Sequence, residues 1–424
     1  MARLARSRVP SASRRLSDYL PVRILHVIPA VAARYGGPST AVVGMCRALS
    51  ALGHEVLLAA TDADGRQGRI DLATGTPDLS GVQVAFFPRQ ASESFKWSAP
   101  MARWLHEHVA DFDVVHIHAI FSHACLAAGR ACRHAGVPYI VRPLGTLDPW
   151  SLSRHAWRKQ VLLTVGGRGV LEHASLIHYT TAEEGRLAQQ TLPWLPEGVV
   201  VPLGVDEQIW RAGAAASPQR GGYVLALSRL DVKKGVDVLI RAFQRAAADP
   251  ALASWKLVIA GDGEAGLVAS LRALAADGPA ANRIEFSGWV AGEARARLLA
   301  GAEVFALASH QENFGIAVAE ALACGTPAVV SRAVNLAADI EQEHAGWVCE
   351  RDETAFAQAL VNAARDTGGR RQRGENARAL AQRFRWPAVA SQLVQIYGDV
   401  IAKQERLLAG TGQLPIATPT ERTH

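Results

Sequence analysis

Two glutamates, Glu312 and Glu320, stand with seven residues between them in the stretch Ser309–Ser331. Glu320 sits among Ala317, Val318, Ala319, Ala321 and Leu322. Glutamate is rarely buried without a partner, so a carboxylate on so small and apolar a segment either faces water or receives a polar ligand. Upstream, Arg229 and Lys234 bracket the loop in SRLDVKKG, just before a helix opening near Gly235. Two cations beside a helix N-terminus make a site for a diphosphate. The ordinary alternative is a solvated basic turn. The loop follows a strand, however, and open α/β sheets hold their ligands at strand carboxyl ends.

Other motifs point elsewhere and more weakly. Gly261–Gly266 (GDGEAG) fits G-x-G-x-x-G after a strand, with Glu285 downstream, as in a nicotinamide dehydrogenase. Asp262 would then aim a carboxylate at a pyrophosphate, and the motif lies mid-domain. His116 and His118 share one strand face and suggest a metal site, but no carboxylate stands at a clear ligand spacing. Asp62/Asp64 and Asp111/Asp113 both imitate a D-x-D metal motif. The second pair precedes its strand, and the first lies in a turn rich in Asp and Gly.

These residues need scaffolding, and the chain supplies it by alternation. Short β-branched runs (RILHVI, EVLLAA, VQVAFF, DVVHIHAI, YIVRP, then GYVLALS, WKLVIAG, RIEFSG, EVFALAS, PAVVS) alternate with helical periodicity, as over Val236–Ala247 and Ile316–Cys324. That pattern predicts parallel sheets covered on both faces. The 424 residues exceed one compact core, and the two halves repeat a strand–loop–helix–strand unit. Between them, DEQIWRAGAAASPQRGG reads as a linker. The net charge of +6 favours anionic partners. Five scattered cysteines with no C-x-x-C pair point to a reducing compartment. No apolar run is long enough to span a membrane, and the arginine-rich start lacks the apolar core of a secretory signal.

At this point the residues carry a resemblance. The E-x7-E pair Glu312/Glu320, SRLDVKKG with Arg229 and Lys234, GDG at Gly261–Gly263, FSGWV at Phe286–Val290, PLGVD at Pro202–Asp206, the GGPS loop and DVVHIHAIFS together resemble the retaining family 4 glycosyltransferases, of the form seen in bacterial envelope and exopolysaccharide enzymes. The match spans about Pro21 to Trp386. PLGVD departs from the commoner Asn-Gly-Val form.

The resemblance implies an α/β fold of GT-B type: two doubly wound Rossmann-like domains facing a central cleft. The expected layout is a basic disordered tail (1–20), an acceptor domain (21–206), a linker (207–221), a donor domain (222–385), a helix crossing back onto the first domain (386–406) and a disordered tail (407–424). It implies transfer of a hexose from a UDP- or GDP-sugar to a saccharide or polyprenyl-linked acceptor, with retention of configuration. A sugar-nucleotide epimerase and a non-catalytic sugar-nucleotide-binding protein of this fold are the alternatives.

By the same resemblance Glu320 would hold the donor ribose. Glu312, with the backbone of Phe314, Gly315 and Ile316, would hold the transferred sugar. Arg229 and Lys234 would hold the diphosphate, beside Gly261, Asp262 and Gly263. Gly37 would let the backbone approach, and His118 would contact the donor sugar. Arg142 is expected on the acceptor side. Arg154, Arg158 and Lys159, with Trp150 and Trp157, read either as a basic aromatic group meeting a lipid-diphosphate acceptor at an anionic membrane surface or as an ordinary basic amphipathic helix packed on the domain. No metal, cofactor or nucleic acid is expected; localisation would be cytoplasmic, with peripheral attachment to the inner membrane face.

Overall fold

The computed structural model describes residues 21–66, 68–71, 78–154, 156–215 and 220–410. The expected basic tail, 1–20, lies outside them. Seven strands form the first sheet: β1 (Arg23–Ala30), β2 (Glu55–Thr61), β3 (Gln83–Phe87), β4 (Val114–His118), β5 (Tyr139–Arg142), β6 (Leu176–Tyr179) and β7 (Gly198–Val200). Six form the second: β8 (Tyr223–Leu227), β9 (Lys256–Ala260), β10 (Ile284–Gly288), β11 (Val304–Leu307), β12 (Ala328–Ser331) and β13 (Gly346–Cys349).

The orders are β3-β2-β1-β4-β5-β6-β7 and β10-β9-β8-β11-β12-β13, and every pair is parallel. Each order reverses beside its first strand, between β1 and β4 and between β8 and β11. There the following loops diverge and leave a crevice at the strand carboxyl ends. Central strands such as β4 and β11 are buried along their whole length. This explains their near-continuous apolar runs.

The segment 207–221 read as a linker opens on a helix. Asp206 accepts a hydrogen bond from the Gln208 amide at 2.7 Å and caps α2 (Glu207–Ala214). Ile209 and Trp210 of that helix are buried in the same apolar cluster as Leu225 and Phe305 of the second sheet. Composition suggested flexibility, but two apolar residues on one helical face seat the segment against the second domain.

The last helix, Trp386–Gly410, begins where the crossing helix was expected and continues four residues past 406. Its Val389, Leu393, Tyr397 and Val400 are buried at helical spacing, and all four join α1 (Gly37–Ala51) and β1 in one cluster. At its start Trp386 is clasped by two glycines. A Cβ added at Gly44 would lie 2.4 Å from the ring, and one at Gly204 2.1 Å. There the chain's two passages between domains run side by side, with the Val205 amide donating to the Phe384 carbonyl at 2.7 Å.

Candidate active site

The loop after β8 and the loop after β9 pack against each other through glycines. The Leu230 amide donates to the Asp262 carbonyl at 2.8 Å. Gly261 has φ +134, and a Cβ there would lie 1.8 Å from the Ser228 carbonyl oxygen; one at Gly263 would lie 2.1 Å from that of Leu230. A side chain is therefore excluded at both positions. Gly235, at φ +63, opens α3 (Val236–Ala246) against the Ala308 carbonyl. Arg229 and Asp262 are exposed here. They line a cavity of about 920 Å³ together with Lys233, Gly263, Trp150 and Trp289.

Lys234 turns the other way. Its ammonium pairs with Glu312 in the loop after β11. Gly315, at φ +75, follows that loop and caps α5 (Ile316–Ala323). Phe314 is buried edge-on against Phe384, with ring centroids 5.5 Å apart, so its side chain serves the core. Glu320 is buried mid-helix and pairs with Arg295 of α4, the helix Gly292–Gly301. Burial pushes its carboxyl up to about 7, against the pull of Arg295, with Asp206 adding to the rise. Arg295 and Glu320 are 25 positions apart, and neither composition nor local periodicity connects them.

The first domain closes over this loop. A Cβ at Gly37 would lie 3.7 Å from the Ile316 side chain, and one at Gly145 2.5 Å from Asn313. The Asn313 amide donates to Thr180 Oγ1 and that of Gln311 to Asp148 Oδ2, each at 3.1 Å. Lys233 lies over the Trp150 ring at 4.5 Å. Glu184, fully buried, accepts from the amides of Gly145 and Thr180 at 2.7 Å each, fixing the loop that meets Asn313. The signal for Glu184 was present: Thr181 caps the helix and the carboxylate stands three residues on. That carboxylate reaches outward to Gly145 and Thr180.

Arg142 is placed differently from expectation, and His118 lies in register beside it. Both are fully buried on the sheet face covered by α1 and the last helix. Arg142, expected at the acceptor surface, pairs in register with His118, on the same face as Ile140. None of its guanidinium nitrogens has a partner among the described residues. It is the alternation along β5 that carries the side chain inward.

Around it, His118 Nε2 lies 2.8 Å from His26 Nδ1, His116 Nε2 3.2 Å from His178 Nδ1, and His116 Nδ1 2.8 Å from the Tyr397 hydroxyl. The structure thus adds His26 to the histidine pair weighed for a metal, with ligand atoms within 4.8 Å of one another. His26 Nδ1 and His118 Nε2 are committed to each other and both His116 nitrogens to His178 and Tyr397, and a desolvated guanidinium on the same face opposes a divalent cation. Burial pulls all four histidines well below their ordinary value. Asp62 accepts from the Arg89 amide at 2.7 Å, and Asp64 pairs with Arg34 at 2.8 Å.

Two β-α-β sheets facing one cleft, with the loops of one carrying cations and carboxylates, define a GT-B architecture. The family model "Glycosyl transferase 4-like domain" matches residues 36–204, and "Glycosyl transferases group 1" matches 221–366. A D-inositol 3-phosphate glycosyltransferase of Stackebrandtia nassauensis is 30% identical over 310 residues, 69% of each chain. A GDP-mannose-dependent alpha-(1-6)-phosphatidylinositol dimannoside mannosyltransferase of Mycobacterium tuberculosis is 34% identical over 47% of this chain and 52% of its own. Among solved structures, Anabaena Alr3699/HepE in complex with UDP-glucose aligns with TM-score 0.68 and 20% identity, over 89% of this chain and all of its own. The lipopolysaccharide glycosyltransferase WaaG aligns with TM-score 0.64 and 16% identity, over 88% of this chain and 99% of its own. The chain belongs to the group 1 glycosyltransferases, those with a family-4-like first domain.

Proposed function

We propose that this glycosyltransferase moves a hexose from a UDP- or GDP-sugar to a saccharide or lipid-linked saccharide acceptor, retaining anomeric configuration and using no metal. The observation that supports the reading is the succession of Arg229, the Lys234–Glu312 pair and Glu320 on the loops and helix that follow β8 and β11 of one sheet. Bond breaking at the donor leaves extra negative charge on the diphosphate. Fixed cations aimed at that charge stabilise it without reorganisation. Arg229, exposed at the cavity, is free to turn to a phosphate. Lys234 is held by Glu312 in the ligand-free protein and would shift toward the diphosphate as the sugar engages Glu312. Glu320 would exchange Arg295 for ribose hydroxyls. His118, with Nδ1 unpartnered among the described residues, stands at the carboxyl end of β4.

A peripheral membrane site accompanies this reading. Trp157, Val161 and Val165 are 68%, 51% and 65% exposed on one short stretch, interleaved with Arg158 and Lys159. Such a surface suits an anionic bilayer carrying a lipid-linked acceptor. Among the described residues no helix is long and apolar enough to cross a membrane. The test is turnover of a panel of nucleotide sugars by purified protein, with the product's anomeric configuration read by NMR. An inverted product would overturn retention, and complete loss with EDTA would overturn metal independence.

A further inference from the structure

A second cavity, of about 540 Å³, lies in the first domain and is lined by Arg66, Glu93, Ser94, Lys96 and Arg158. Its single carboxylate is already satisfied. The Tyr35 hydroxyl donates to Glu93 at 2.6 Å, Lys96 pairs with it at 3.1 Å, and Arg89 pairs with its other oxygen. Arg66 and Arg158 have no acidic partner among the described residues. The cavity therefore carries several cations around one neutralised acid, and its uncompensated charge calls for a polyanion.

The loop holding Lys96 is strained to do so. Ser92 and Lys96 both have φ +51, a left-handed conformation that side chains disfavour. The Lys96 amide donates to the Ser92 carbonyl at 2.7 Å, and its ammonium lies 4.5 Å from the Tyr35 ring centre. Its side chain, 12% exposed, is thereby fixed at the cavity wall. A lysine free in solvent would need no such backbone.

Residues close in sequence line the two cavities. Arg34 lines the larger one and pairs with Asp64; the next residue, Tyr35, accepts from the Gly65 amide at 3.1 Å and donates to Glu93. Arg154 lines the larger cavity and Arg158 the smaller. Neighbouring positions thus line the donor-side cavity and the basic pocket, and the exposed Trp157 stands next to Arg158 in the chain.

We propose that this pocket binds a phosphate ester or diphosphate carried by the acceptor, with Arg66, Lys96 and Arg158 as its ligands. This rests on the glycosyltransfer reading and adds the acceptor's chemical class. Guanidinium pairs suit phosphate because they bind its oxygens in bidentate fashion, and a dianion offsets this excess of charge better than a carboxylate does.

The experiment titrates inorganic pyrophosphate calorimetrically into protein saturated with the nucleoside diphosphate that the donor panel selects, so that the donor site is blocked. One further site is expected. Arg66→Ala/Arg158→Ala should weaken it at least tenfold, Arg158→Lys should weaken it less, and nucleotide affinity and melting temperature should hold. Two further probes separate the sources of the phosphate. Preference for a short-chain isoprenyl diphosphate assigns a lipid carrier, and equal binding of a sugar 1-phosphate assigns a soluble one. No pyrophosphate binding beyond the donor site, or binding indifferent to both arginines, overturns the proposal. Loss of nucleotide binding in the unaltered protein would instead count against the donor reading.

Discussion

At the level of single residues, Glu320 states the clearest expectation. A carboxyl held at about 7 in the fold against 4.5 ordinarily is harder to ionise when folded than when unfolded. It therefore withdraws stability as pH rises from about 4.5 through about 7. Melting of the ligand-free protein should fall over that window, and Glu320→Gln should flatten that part of the profile by about 2 kcal/mol or less. Donor affinity should run the other way, rising as the carboxylate forms. At pH 8 Glu320→Gln should lose one to two decades of affinity, at about 1.4 kcal/mol each. A variant that binds nucleotide as tightly as the parent in calorimetry would remove Glu320 from the site. Lys234→Ala should lower kcat by roughly 10²–10³. The double variant with Arg229→Ala should lose less than the product of the two, because both act on one diphosphate. Activity indifferent to Lys234 would leave it a structural partner of Glu312.

At the level of elements, much was readable, and the failures have physical causes. SRLDVKKG and the stretch around Glu312 and Glu320 announce strand, loop and helix because period, cap and glycine agree locally. Strands β6, β7 and β13 were not anticipated. They have four, three and four residues, and sheet pairing holds them. The helix at Glu207–Ala214 was hidden because its flanks are rich in alanine and glycine, although Asp206 and the Ile209/Trp210 pair were present. Arg142 looked like a surface cation because side-chain charge is visible in a sequence and strand face is not. Arg295 was beyond reach, since its pairing with Glu320 exists only once α4 and α5 are packed. The helix Ala156–Leu162 has no buried residue, so its Trp157 and Val161 await another surface. Flotation with anionic liposomes should show binding that high salt weakens and that Trp157→Ala with Val161→Ser abolishes. Protein that stays at the bottom of the gradient at low salt would point to a soluble acceptor.

At the level of the whole molecule, the two domains meet through polar and apolar contacts around a cleft, and Trp386 sits where the chain crosses. Gly44→Ala puts a methyl 2.4 Å from that ring without straining the backbone of α1. Overpacking of this kind costs about 1–3 kcal/mol. The melting temperature should drop by several degrees, with kcat falling while isolated nucleotide binding holds. Unchanged kcat would mean that this junction is only a support. The neighbouring passages at Val205 and Phe384 have a mechanical meaning. Two tethers joined by a hydrogen bond at one edge remove most of the six ways in which two rigid bodies can shift. Sliding and twisting would stretch one tether against the other. What survives is a swing about a line through both, like a door on a pair of pins. On that account opening and closing follow one angle, and each turn of the cycle retraces the same arc.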